Sequence, residues 1–94
     1  MSKAIKAFLN CKTTNNTTVS VERENDVYML YDDHTLIAIT ECMHSYILIN
    51  EAVEKDNKVL VKLLDTLKKN NDPRIVKYKP KKHLIQCMLN NSTF

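Results

Sequence analysis

The chain has 94 residues, of which 44% are hydrophobic and 27% charged, and its formal net charge is +3. This composition is typical of a globular domain and disfavours wholesale disorder, and the length provides for one core, so we predict a single domain over residues 1–94. Glycine is absent, which excludes glycine-based nucleotide loops and leaves the turns to asparagine and aspartate.

The N-terminal residues predict a short amphipathic helix, because Ile5, Phe8 and Leu9 fall at helical spacing and Ser2 can cap it. The polar run at residues 13–18 predicts a loop. No stretch approaches the roughly 18 apolar residues that span a bilayer, and no apolar signal segment is visible, so we expect a cytoplasmic protein.

A period of two begins at Val19 and predicts an antiparallel meander of three or four strands. The first two strands form a hairpin around Asn25-Asp26, and two further strands cover residues 35–40 and 45–49. These last two are apolar on both faces, so we expect them to lie centrally, with both faces covered or one face against a partner. On this ground we also expect a homodimer, although the N-terminal helix and residues 83–89 could cover the second face instead.

The helical pattern that follows is the strongest in the sequence, since apolar residues recur at spacings of three and four. Asp56 or Asn50 is expected to cap this helix, and Asp72-Pro73 to end it. The fold class is therefore α+β, with the amphipathic helix packed on the meander. Its apolar stripe consists of Val59, Leu60, Leu63, Leu64 and Leu67.

Residues 74–79 predict a short strand, and Pro80 places this strand at an edge if it joins the sheet. The apolar run at residues 83–89 fits a strand or a helix, because its length does not separate the two.

The chemistry-bearing side chains do not form an enzyme motif. Asp33, His34, Cys42 and His44 are the candidates, but Asp33-His34 is typical of a solvated turn, and Cys42 and His44 lack the second ligand pair that zinc requires. We therefore expect no catalytic residue, metal or cofactor. Cys11, Cys42 and Cys87 are odd in number and widely spaced, which favours free thiols in a reducing compartment.

Positive charge concentrates between Lys68 and Lys82, where seven cations face one anion. Such a segment could follow a phosphate backbone, with Tyr78 for stacking. Lysines at sheet edges and helix ends also prevent aggregation or complement the helix dipole, so this alternative stays open. The candidate nucleic-acid-binding residues are Arg74, Lys77, Tyr78, Lys79, Lys81 and Lys82.

Tyr28, Tyr31 and Tyr46 are candidate protein-binding residues, because tyrosine is enriched in interface hot spots. The stretch from Val27 to Ile39, followed by Tyr46 to Asn50, resembles the meander of small phage-encoded accessory proteins. In size and lack of glycine the chain is also similar to counter-defence proteins such as anti-CRISPR inhibitors. The resemblance implies a non-enzymatic viral protein that binds and inhibits a host protein or defence complex in the host cytoplasm. A nucleic-acid-binding module is the alternative.

Overall fold

A computed structural model describes residues 3–14, 18–42 and 45–90. Five strands and three helices occur in this part of the chain, which confirms the α+β prediction. Ser2 and the Asn15-Asn16 pair, which were predicted as cap and turn, lie outside the described residues. In chain order the elements are α1 (Lys3–Leu9), β1 (Val19–Glu24), β2 (Val27–Asp32), β3 (Thr35–Glu41), β4 (Tyr46–Asn50), α2 (Lys58–Lys69), β5 (Ile75–Lys79) and α3 (Lys81–Asn90).

The strands form one sheet in sequence order, from β1 at one edge to β5 at the other. The first four strands pair antiparallel, as the meander prediction required. β5 pairs parallel with β4, and α2 provides the crossover connection that parallel neighbours need. The predicted edge position of β5 is confirmed.

Asparagine and aspartate supply the left-handed turn residues in this chain without glycine, as predicted. Asn25, Asp33 and Asn71 have φ values of 55°, 57° and 50°, in the region that these residue types tolerate best after glycine. Cys11 has a φ of 56° and was not expected there. It follows the end of α1, where the N–H of Lys12 donates to the carbonyl of Ala7, a Schellman-type helix end.

The predicted N-cap of α2 was wrong. Asn57, rather than Asp56 or Asn50, caps the helix, since its side-chain oxygen accepts from the N–H groups of Val59 and Leu60 at 2.9 and 3.1 Å. Asn50 is instead buried at the end of β4, where its amide donates to the carbonyl of Leu36 at 2.9 Å. The helix ends at Lys69, before the predicted stop at Asp72-Pro73.

The sheet is covered on both faces within the chain. α1 and α2 share the first face, and Leu63 of α2 is fully buried there, as expected. α3 lies alone on the second face, where Leu84 and Cys87 pack on Ile39 and Leu48. The open assignment of residues 83–89 is thus resolved as helix, and α1 does not join it. The structure does not test the expected dimer, but an uncovered face no longer motivates it.

The prediction of three free thiols was wrong for one pair. Cys11, after α1, and Cys42, after β3, form a disulfide with a Cα–Cα distance of 6.0 Å. Their separation of 31 residues gave no sign of this pairing, which depends on how α1 packs against the sheet. Cys87 is buried as a small apolar residue. Among the described helices, none is long and apolar enough to cross a membrane.

Candidate binding edge of the sheet

The β5 edge presents backbone groups that nothing in the described chain pairs. The N–H of Ile75 donates to the carbonyl of Ser45 at 2.7 Å, and the carbonyl of Lys79 accepts from the N–H of Glu51 at 2.9 Å, both towards the β4 side. Because backbone direction alternates along a parallel strand, Val76 and Tyr78 direct their N–H and C=O groups outward. Within residues 3–14, 18–42 and 45–90, these groups have no hydrogen-bond partner.

Side chains of β5 divide between the two faces of the sheet. Ile75, Lys77 and Lys79 lie on the face of α3, and Val76 and Tyr78 lie on the face of α1 and α2. Ile75 is 50% exposed and Tyr78 is 48% exposed. The edge therefore combines open backbone with apolar side chains on both faces and lysines on one.

Lys77 is held in place by an aromatic ring. Its ammonium nitrogen lies 4.5 Å from the centroid of the Tyr46 ring on the neighbouring strand, a favourable cation–π distance. Lys77 is nevertheless exposed. Tyr46, predicted to bind protein directly, thus positions a charge at the edge.

Arg74 anchors the chain just before β5. One guanidinium nitrogen, Nη2, donates to the carbonyl of Leu9 at the end of α1, and Nε lies 3.5 Å from Oδ1 of Asp72. The same carboxylate oxygen accepts from the backbone N–H of Arg74 at 3.0 Å. Arg74 is therefore committed to internal contacts and differs in role from the lysines with which the sequence grouped it.

Lys81 and Lys82 continue the positive charge beyond Pro80, in the first turn of α3, and both are exposed. Cations at a helix N-terminus oppose the helix dipole. Lys68 and Lys69 lie in the last turn of α2, where a positive charge interacts favourably with the helix dipole. The helix dipole does not account for the positions of Lys81 and Lys82.

The predicted protein-binding tyrosines do not form one patch. Tyr28 lies partly buried on the first face, with the Arg23 guanidinium 5.7 Å from its ring centroid. Tyr31 lies partly buried on the second face. Burial raises the pKa of the Tyr31 phenol above its ordinary value, and the nearby carboxylates of Glu22 and Glu24 raise this pKa further.

The opposite edge of the sheet is blocked at a residue in its middle. Val21, in the middle of β1, donates its N–H to the side-chain oxygen of Thr14 at 3.0 Å, and its carbonyl accepts from the N–H of Thr14 at 3.1 Å. Thr14 thus occupies the outward backbone groups of Val21. The threonine-rich run signalled only a loop and did not show where the loop lies.

The remaining candidates have structural or solvated roles. Nε2 of His34 lies 3.7 Å from Oδ1 of Asp33, and both side chains are largely exposed, as expected for a turn. Cys42 is in the disulfide, and His44 lies outside the described residues. In the described part of the chain, no group of three or more histidines, cysteines and acidic residues could hold a metal ion.

Scans of protein-family models, curated proteins and solved structures find no match to this chain. Its own geometry is therefore the basis for assigning a function.

Proposed function

We propose that this chain is a non-enzymatic protein-binding module, and that its β5 edge receives an extended segment of another protein as an additional strand. The observation that supports this proposal is the outward, unpaired backbone of Val76 and Tyr78 in the described chain. Strand addition uses such an edge, because main-chain hydrogen bonds provide affinity and alternate side chains provide specificity. Thr14 makes β1 unsuitable for the same role.

The side chains of β5 favour contact with a polypeptide. Ile75 and Tyr78 are each about half exposed, and an added strand would cover one on each face of the sheet. Tyrosine is among the residues that contribute most to binding free energy when they become buried in an interface.

A host protein or defence complex is the partner suggested by the resemblance to phage counter-defence proteins. Strand addition suits such a role, since a small inhibitor can occupy a partner's extended segment without any catalytic group. The proposed viral origin depends on that resemblance alone.

Nucleic-acid binding is the second candidate, and the exposed series Lys77, Lys81 and Lys82 favours it. Binding of a single strand usually combines a positive track with an aromatic platform beside it. Here Tyr78 projects from the face opposite Lys77, and Arg74 is engaged with Leu9 and Asp72. Strand addition therefore agrees better with the geometry.

The test is panning of a displayed peptide library on the immobilised protein. The variant Tyr78→Pro removes the ring and an outward N–H but no hydrogen bond to β4, whereas Tyr78→Ala removes the ring, keeps the N–H and serves as the matched control. We expect the wild type and Tyr78→Ala to enrich a common set of peptides and Tyr78→Pro to lose them, with similar melting temperatures for the two variants. Failure of the wild type to enrich peptides, or full retention by Tyr78→Pro, would overturn the proposal.

A mobility-shift titration at two salt concentrations tests the second candidate in parallel. Contacts to phosphates should weaken steeply as salt rises. Salt-sensitive binding of a single-stranded oligonucleotide, without peptide enrichment, would favour nucleic acid as the ligand.

A further inference from the structure

We infer that the segment added at β5 is acidic, with carboxylates at alternating positions on the face of Lys77 and Lys79 and apolar residues between them. This inference rests on the proposed function. It begins from the spacing of the two lysines, which lie on one face two residues apart. A partner strand presents its own alternate side chains with the same period, roughly 6.6 Å, and directly opposite side chains approach to about 5 Å.

The lysines of this edge form no salt bridge within the part of the chain that the structure describes. Lys77, Lys79, Lys81 and Lys82 take part in none of the salt bridges found among the described residues. Arg74, by contrast, has its own carboxylate partner in Asp72. An incoming acidic segment would therefore meet positive charge that no acidic side chain of the described residues pairs with.

The positions of these lysines strengthen the preference for an acidic segment. The Tyr46 ring restrains the ammonium of Lys77, so less side-chain freedom is lost when a carboxylate approaches. Lys81 and Lys82 extend the charge past the end of the strand, into a helix turn where the dipole disfavours them. A carboxylate that reached them would relieve this unfavourable arrangement.

The opposite face of β5 determines the residues between the carboxylates. Val76 packs against the first-face core, and Tyr78 is half exposed beside it. An apolar side chain on the added strand would cover the exposed part of Tyr78. The expected ligand thus alternates acidic and apolar residues.

A second copy of this chain does not supply such a strand. β1 carries Glu22 and Glu24 on one face, but Thr14 occupies the outward groups of Val21, which precedes them in the same strand, so a second copy could not pair along the length of β1. Pairing of β5 with β5 would place lysines near lysines, which is unfavourable. The occupant is therefore a segment of a different polypeptide.

The test uses purified protein and a short acetylated peptide of alternating glutamate and valine, with a glutamine-for-glutamate peptide as the neutral match. Binding is followed by NMR, together with hydrogen exchange at the amides of Val76 and Tyr78. At low salt we expect the glutamate peptide to bind about three- to tenfold more tightly, as two exposed ion pairs allow, and to protect both amides. The difference should shrink as salt rises.

Two double variants identify the lysines that are responsible for the preference for the glutamate peptide. Lys77→Gln/Lys79→Gln should lower binding of the glutamate peptide to the level of the glutamine peptide. Lys68→Gln/Lys69→Gln makes the same charge change at the end of α2 and should keep the preference.

Three results would overturn the inference, and they separate it from the proposed function. Equal binding of both peptides, with protection of Val76 and Tyr78, would refute the acidic preference and leave strand addition standing. Protection by neither peptide would count against strand addition itself. A single-stranded oligonucleotide that shifts the lysine signals, while no peptide protects the edge amides, would identify nucleic acid as the ligand.

Discussion

The two edges of the sheet prevent unwanted pairing in different ways. At β1, Thr14 occupies both outward backbone groups of Val21, so hydrogen bonds block the middle of this edge. At β5, the outward groups have no partner in the described chain, and protection comes from lysines and the following Pro80, which discourage pairing without blocking it. An edge that is occupied at its middle residue disfavours a continuous added strand of any sequence, whereas a charged edge disfavours some strands and accepts those of opposite charge.

The two edges also differ in how they are anchored. β1 lies inside the loop closed by the Cys11–Cys42 disulfide. β5 lies outside this loop and is held by β4 and by Arg74, which ties the preceding residues to the end of α1. The open edge is thus presented by fixed contacts on a paired strand, as a preorganised binding surface requires.

Among the changes that test the difference between the two edges, loss of the disulfide should lower the stability most. Chain entropy predicts that a crosslink with a 31-residue separation stabilises the fold by about 3–4 kcal/mol. We expect the double variant Cys11→Ser/Cys42→Ser to lose stability of that order in urea unfolding. The rate of amide hydrogen exchange under native conditions should rise first in α1 and β1, which lie near the disulfide.

Alkylation in denaturant provides the control for that result. The unreduced protein should take up one alkyl group, at Cys87, and the reduced protein three, by mass spectrometry. Uptake of three groups without reductant would show that the pair is not joined, and the predicted loss would then have no basis.

Removing the anchor of the open edge should have the next largest effect. Arg74→Ala breaks the contacts of the guanidinium with Leu9 and Asp72, and hydrogen bonds to charged groups contribute about 1.5–3 kcal/mol. We expect a loss in that range by urea unfolding, with faster amide exchange in β5. Lys82→Ala removes an exposed cation and should change stability by less than about 0.5 kcal/mol. Equal effects of the two variants would contradict the anchoring role.

Removing the hydrogen bond that blocks the β1 edge should lower the stability by a smaller amount. Thr14→Val removes the side-chain acceptor of the Val21 N–H, and a neutral hydrogen bond contributes about 1 kcal/mol. We expect a loss near that value and faster exchange of the Val21 amide. Thr13→Val alters the exposed neighbour and should leave that exchange rate unchanged. An unchanged rate in Thr14→Val would show that the hydroxyl does not close the edge.

The architecture could be predicted from local patterns, and the difference between the edges could not. Alternation at Val19 and Val21, the leucine stripe around Leu63 and the Asn25-Asp26 turn each specify structure through nearby residues, and all three were interpreted correctly. Pro80 also predicted an edge position for the strand that precedes it. The short run at residues 83–89 remained ambiguous because both regular structures bury such a run.

The missed features depend on contacts distant in sequence or on competing local choices. The contact of Thr14 with Val21, the Cys11–Cys42 bond and the contact of Arg74 with Leu9 arise only after α1 has packed on the sheet. Asn57 was missed as the cap because Asn50 and Asp56 are chemically equivalent candidates. The placement of Tyr78 on the face opposite Lys77 and Lys79 was also missed, because strand alternation separates sequence neighbours onto opposite faces.

A smaller effect on stability is expected at alkaline pH, where Tyr31 on the second face titrates. The pKa of Tyr31 is raised by burial and by Glu22 and Glu24, so the folded state retains its proton at a pH where the unfolded chain loses it. Stability should therefore fall as pH rises from the ordinary tyrosine value, about 10, through the raised value. Tyr31→Phe should flatten this fall in urea unfolding measured at successive pH values. An identical slope in both proteins would show that Tyr31 makes no contribution.

The smallest effect is expected on the oligomeric state, since the protein should stay a monomer in solution. Both sheet faces are covered within the chain, Thr14 blocks β1, and symmetric pairing of β5 would bring Lys77 and Lys79 close to the same lysines of a second copy. These three observations oppose the homodimer that the apolar strands suggested, so light scattering at micromolar concentration should give a mass near 10.9 kDa. If lysine repulsion is what keeps two β5 edges apart, Lys77→Gln/Lys79→Gln should self-associate more than the wild type. A wild-type mass near twice the monomer value would instead restore the dimer and show that a surface other than these edges forms its interface.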